Sequence, residues 1–310
     1  MNTTNSVRSP AWVLAGLAIV LVSLGITLSL IYILRTGNVR PLISHQGLIP
    51  FITVSYALLG ALIASRHPRI VIGWLYTATA ILNGLMAVAV GNTAFQSLDQ
   101  SNWLPWSDAL NWLSRWSWTI AIVLPFGMAL KFFPDGRLLS RRWRPLAGIT
   151  AIGLAGAALS LALHPGPITS WDIPGGNPYG IPGAGVWLEP ILNASGALLA
   201  FDMLVTLGLV GLRFRRARGQ EREQLKWVVY TTLVLAPVLG LAAALAPFFL
   251  NESAAREVSI VLTDLFILSI AVSVSVAILR RRLYDIDLVL NRTLVYGALT
   301  AAVISVYGLV

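Results

Sequence analysis

Cysteine is absent from the 310 residues, which excludes disulfides, thiolate metal sites and cysteine nucleophiles. Charge is scarce as well. Asp, Glu, Lys and Arg make up 11% of the chain, where a water-soluble protein carries about a quarter. Only three histidines are present, so the clustered histidines or carboxylates of a membrane-embedded enzyme are not found. What fills the space is apolar: 56% hydrophobic residues and a mean hydropathy of +0.76. Charge-free runs long enough to cross a bilayer recur along the chain, which marks a multi-pass helical membrane protein.

The runs are Ala11–Leu34, Gly47–Ser65, Ile70–Val90, Ala109–Leu130, Pro145–Leu163, Ile191–Leu212, Trp227–Leu250 and Val258–Leu279, with an incomplete ninth opened by Thr293. The expected fold is therefore all-α, a polytopic transmembrane helix bundle of about nine spans. Residues 1–279 form a bundle of eight helices, 280–293 an amphipathic elbow, and 294–310 the start of a further span that is cut short. Ala11–Leu34 is too long and too uniformly apolar for a cleaved signal peptide and stays as the first anchor.

The net charge of +9 does not imply nucleic acid, because the basic residues cluster between the apolar runs. With the amino terminus inside, the inner loops hold eighteen of the 22 Lys and Arg residues. Only Arg35, Arg40, Arg115 and Arg256 fall outside or within the membrane. Cationic loops stay cytoplasmic and meet anionic headgroups, so the expected partner is a lipid bilayer with anionic headgroups. The opposite loops differ in kind. Residues 164–190 carry no Lys or Arg, are broken by proline and glycine, and hold Trp171, Tyr179 and Trp187.

Inside the membrane, Asn83, Arg115, Asp202 and Asp264 are the polar residues that demand partners. They are expected to line an outward-opening cavity beneath Trp103 and Trp106, with Arg115 and Asp264 as a pair of like depth. An ion pair that merely orients helices uses the same residues. Trp103, Trp106, Trp112, Trp116 and Trp118 read either as an aromatic belt or as a surface for an apolar ligand. Pro125 and Pro237 lie inside spans and permit kinks. Ala147, Ala151 and Ala155, with Gly153 and Ala157, offer a close-packing face on the fifth span.

Four segments on the inner loops carry a resemblance. They are ASRHPRIVIGWLY (Ala64–Tyr76), LKFFPDGRLLSRRWRP (Leu130–Pro145), RGQEREQLKWVVY (Arg218–Tyr230) and RRLYDIDLVLNRTLVYG (Arg281–Gly297). Together, in this order, they resemble the multi-pass membrane region of bacterial two-component sensor histidine kinases. The resemblance implies a membrane-embedded signal-input region, with Pro134, Asp135, Gly136, Arg142, Trp143, Lys226, Trp227, Tyr284, Asp285, Asp287, Asn291 and Arg292 as inner-loop and elbow residues that relay the signal. It further implies a homodimer and a cytoplasmic kinase beyond Val310 that uses ATP and Mg and passes phosphate to a response regulator. This region itself is expected to need no cofactor and no metal, and to hold no catalytic residue. His67 and His164 each precede proline, which disfavours a phosphoacceptor helix. The rival function is a small-solute transporter or channel; such folds are commonly built from matched halves, and no such repeat is visible.

Overall fold

A computed structural model describes residues 3–39, 47–98, 106–133, 136, 138, 143–166 and 177–279. The elbow residues Tyr284, Asp285, Asp287, Asn291 and Arg292 and the ninth run lie outside the described residues, as do Trp103, Pro134, Asp135 and Arg142. Among the described residues the chain is all-helical, and eight helices are long and apolar enough to cross a membrane.

The helices are α1 (Thr3–Thr36), α2 (Ile49–Arg66), α3 (Val71–Gln96), α4 (Ser107–Val123, continued by a π-helical segment Leu124–Ala129 and by Leu130–Phe132), α5 (Arg144–Leu163), α6 (Gly185–Arg216), α7 (Gln220–Tyr230, a π-helical turn Thr231–Leu235, then Ala236–Phe249) and α8 (Glu252–Leu279). Consecutive spans alternate in direction. Below, the end at which α2, α4, α6 and α8 begin is called the upper end, and the opposite one the lower.

Packing follows the small residues. α1 lies along α3, and α2 packs on both. A Cβ on Gly25 would run into the Ala87 carbonyl, and one on Gly91 into the Gly25 carbonyl. Only glycine lets these backbones touch, and close backbone approach is what joins helices in lipid, where apolar burial gives no advantage over lipid tails. α5 and α6 form a second pair and α7 and α8 a third, while α8 returns to α2. At that return Tyr56 donates its hydroxyl to the Ile267 carbonyl at 2.9 Å, and its ring meets Tyr76 edge-on at 4.9 Å. α4 touches α3, α5, α6 and α8. It is the hub.

The pattern of exposure is inside-out. Large apolar side chains such as Val186, Phe248 and Phe249 face outward, as lipid contact requires. Threonines and serines, among them Thr53, Thr77, Thr150 and Thr232, face inward and donate to carbonyls one turn back. On α5 the close-packing face differs from the expected one. Gly153 and Ala157 are buried against α6, but Ala151 and Ala155 are exposed. A step of four residues drifts around a 3.6-residue helix, and the buried stripe is Leu146, Thr150, Gly153, Ala157 and Ser160 instead.

Pro125 and Pro237 both sit at π-helical turns. Pro125 lies within Leu124–Ala129, and Pro237 follows Thr231–Leu235. Proline has no N–H to give and its ring crowds the carbonyl four residues back. A widened turn relieves that crowding and leaves carbonyls without their usual partners. The lower connection after α4 turns as its sequence requires: Gly136 has φ +74° and donates its N–H to the Phe132 carbonyl at 2.7 Å. Trp143 occupies the N-cap position of α5 without a side-chain capping bond. At the start of α7, Leu225 and Val228 are buried while Lys226 and Trp227 point outward. The upper connection after α5 is stitched down. Asn177 donates to the carbonyls of Ala162 and His164 at 2.8 and 2.9 Å, and Trp112 of α4 donates to Ala162 at 2.8 Å.

Candidate functional site

Two polar centres occupy the bundle. The lower one is closed. Lys131, near the end of α4, and Asp202, in the middle of α6, are 2% and 1% exposed. Lys131 Nζ lies 2.7 Å from Asp202 Oδ2. It also donates to Thr150 Oγ1 of α5 at 2.7 Å and to the Gly127 carbonyl at 2.8 Å. All three ammonium protons are placed. Thr150 Oγ1 in turn lies 3.0 Å from Asp202 Oδ2, and Thr206 donates to the Asp202 carbonyl at 2.8 Å. A buried ion pair depends on its remaining hydrogen bonds; three helices supply them to the ammonium and to Asp202 Oδ2, while Asp202 Oδ1 is buried without a partner.

The local sequence explains the geometry. The Cα–Cβ bonds of a helix tilt toward its amino terminus, so the stem of Lys131 climbs back into the membrane rather than out to the headgroups. The π-helical segment places the Gly127 carbonyl where the ammonium finds it. Gly127 has no side chain to intrude: a Cβ there would sit 3.1 Å from Val123 Cγ1 and 3.2 Å from Thr150 Cγ2. Arg213, near the end of α6, donates to the Lys131 carbonyl at 3.1 Å. Both ends of Lys131 are thereby tied to α6.

The upper centre is open. A cavity of about 40 Å³ lies between α2, α3, α4 and α8, walled by Ile52, Met86, Trp118 and Ile267 and with Asn83 and Asp264 as its polar groups. The amide nitrogen of Asn83 is committed to the Thr79 carbonyl at 3.0 Å, which leaves its oxygen as an acceptor. Asp264 Oδ2 is buried without a hydrogen-bond partner, and no ion pair forms on it among the described residues. Trp118 donates its indole N–H to the Arg115 carbonyl at 2.9 Å, which fixes the ring at the wall.

These positions correct the expectation of one shared cavity. Asn83 and Asp264 do come together. Asp202 does not join them, because Lys131 reaches it from below. Arg115 is buried at 3% exposure but lines neither centre and forms no ion pair with Asp264. Trp106 is 61% exposed at the upper end and does not reach the cavity, whereas Trp118 does. Trp112 serves the bundle, meeting Trp116 and Tyr179 edge-on at 5.5 and 4.9 Å. Lys131 and Thr150 were not anticipated as site residues. Lys131 reads as one more loop cation, although its place in unbroken helical sequence, four residues after Gly127, was the available signal.

The cavity wall on α4 is made by Trp118, Ala121 and Ile122, just before the π-helical segment. Within that segment Phe126 meets Phe266 of α8 at a tilt, with centroids 5.3 Å apart. The next residue, Gly127, supplies the carbonyl that Lys131 holds. Trp118 and Gly127 stand about 13 Å apart along α4, at roughly 1.5 Å per residue. Among the described residues no group of His, Asp and Glu is arranged to hold a metal. Comparison with protein-family models, curated proteins and solved structures returns no match.

Proposed function

We propose that this bundle is the signal-input region of a bacterial sensor histidine kinase, in which the upper cavity receives the signal and the lower centre passes it on. The observation that carries the reading is α4 itself, whose Trp118, Ala121 and Ile122 wall the cavity while Gly127, in its π-helical segment, abuts the Lys131–Asp202 pair. A change of the cavity wall reaches the pair along the same helix, through the π-helical segment between them. The pair in turn holds α6, which leads through Arg213 to the cationic connection and α7. A coupling of about 1–3 kcal/mol suffices to bias an attached output severalfold or more.

In this reading the amino terminus and the arginine-rich connections are cytoplasmic, the protein works as a homodimer in the inner membrane, and the elbow at 280–293 leads to a kinase beyond Val310. Lys131 already occupies Asp202, the residue best suited to a transported solute, and this favours the sensor over a transporter. The test uses the whole gene product in nanodiscs. A histidine-bearing dimerisation helix and an ATP-binding domain are expected past Val310. The paired substitution Lys131→Met with Asp202→Leu is expected to shift autophosphorylation at least about fivefold, the lower end of typical coupling. Solute uptake by proteoliposomes, or a gene that ends without a kinase, would overturn the reading in favour of a transporter.

A further inference from the structure

The geometry points to a binding site for a small monovalent cation, an ammonium head or an alkali ion, held in the upper cavity by Asp264 and Asn83. Its role as a signal rests on the input-region reading above; its existence does not.

Asp264 has no counter-charge among the described residues. Its Oδ2 is buried with no hydrogen-bond partner, and the walls around it are Ile, Met, Ala and Trp side chains. A carboxylate within a span is costly unless paired, and the described ion pairs are made elsewhere, by Lys131 with Asp202 and by His164 with Glu189. Arg115 lies one turn above Trp118 on α4 and does not line the cavity. Glu257, seven residues before Asp264, shares its helical face and adds negative charge above it.

The other groups fit a cation as well. Asn83 spends its donor on the Thr79 carbonyl, so what it presents to the cavity is an acceptor. The indole of Trp118 is the aromatic ring best suited to a nearby cation. The space selects by size. A cavity needs roughly 10–15 Å³ of this measure to hold one water, so about 40 Å³ admits an alkali ion with a water or a methylammonium. Choline does not fit, and its quaternary nitrogen has no N–H for Asp264. The lower centre gives the contrast inside the same protein: there a lysine ammonium already fills the equivalent role beside Asp202.

The test is thermal unfolding of the full chain in nanodiscs of neutral lipid, at constant ionic strength in choline chloride. Methylammonium chloride or sodium chloride replaces choline stepwise. A ligand that binds only the folded state raises the midpoint in a saturable way. The wild type is expected to respond, and the arm that responds identifies the cation: methylammonium alone means an amine head, sodium alone an alkali ion. Asp264→Asn is expected to weaken the response about tenfold or more, as loss of a hydrogen-bonded charge does. Asn83→Asp adds a second carboxylate and is expected to tighten it, which guards against a folding defect in the first variant. No response over choline in the wild type, or an Asp264→Asn variant that responds like wild type, overturns the site. Binding without any change in autophosphorylation would leave the site standing and remove the signalling reading instead.

Discussion

The two polar centres share a chemistry and differ in completeness. At the lower one a carboxylate oxygen has an ammonium at 2.7 Å and a threonine hydroxyl, and the ammonium in turn holds a backbone carbonyl. At the upper one a carboxylate faces a cavity with an amide and an indole for company. Both aspartates stand alone in long apolar sequence, and nothing near them in the chain tells them apart. The difference teaches that a buried charge becomes a clamp or a receptor according to whether another helix brings it a counter-charge. α4 brings Lys131 to Asp202. To Asp264 the same helix brings Trp118.

The sharpest way to break the contrast is to strip each aspartate of its surroundings and compare the losses. Lys131→Met leaves Asp202 buried without its partner and is expected to destabilise the protein by about 3–5 kcal/mol in thermal or denaturant unfolding in detergent. Adding Asp202→Leu to it is expected to recover most of that loss, since the remaining pair is apolar and of similar volume. A double-mutant cycle with no recovery would mean that the pair is not what holds α4 to α6.

A middle-sized effect is expected at the threonine that completes the lower centre. Thr150→Val keeps the shape and removes the hydroxyl, so it should cost about 1–3 kcal/mol through the bond accepted from Lys131 and the one proton shared between Leu146 and Asp202. The same unfolding measurement reads it. An effect within about 0.5 kcal/mol, typical of an uninvolved position, would show the ammonium satisfied without α5.

The smallest effect is expected at the open centre. Asp264→Asn removes a charge that no described side chain pairs, so in choline medium its unfolding midpoint should match wild type or exceed it. A loss as large as that of Lys131→Met would place a counter-charge on Asp264 and erase the distinction between the centres.

Much of the fold was legible because lipid is a severe solvent. A span must satisfy its own backbone and show apolar side chains outward, so the apolar stretch of all eight helices could be placed from hydropathy, although α1, α3, α6, α7 and α8 each run more than a turn further at an end. Gly136 was readable as a turn because a proline, an aspartate and a glycine in succession leave little choice of backbone. The partnership of Asn83 with Asp264 was half legible, through equal depth in the membrane. Depth is one coordinate of three, however. It placed Arg115 beside Asp264, whereas Arg115, on the same face of α4 as Trp118 and Ile122, stands one turn above the cavity that they line.

What the sequence by itself determined is the count and placement of the apolar helices, the clustering of cations in alternate connections, and the isolation of each intramembrane charge. These follow from one-dimensional quantities: run length, loop charge and the cost of a charge in hydrocarbon. Which charges meet was decided only by the tertiary structure. A lysine stem that climbs back one turn, a π-helical segment that frees a carbonyl, and a glycine that lets α5 approach act across helices 19 and 71 residues apart in the chain. No local pattern encodes such a meeting, because it depends on how the helices rotate and cross once they pack.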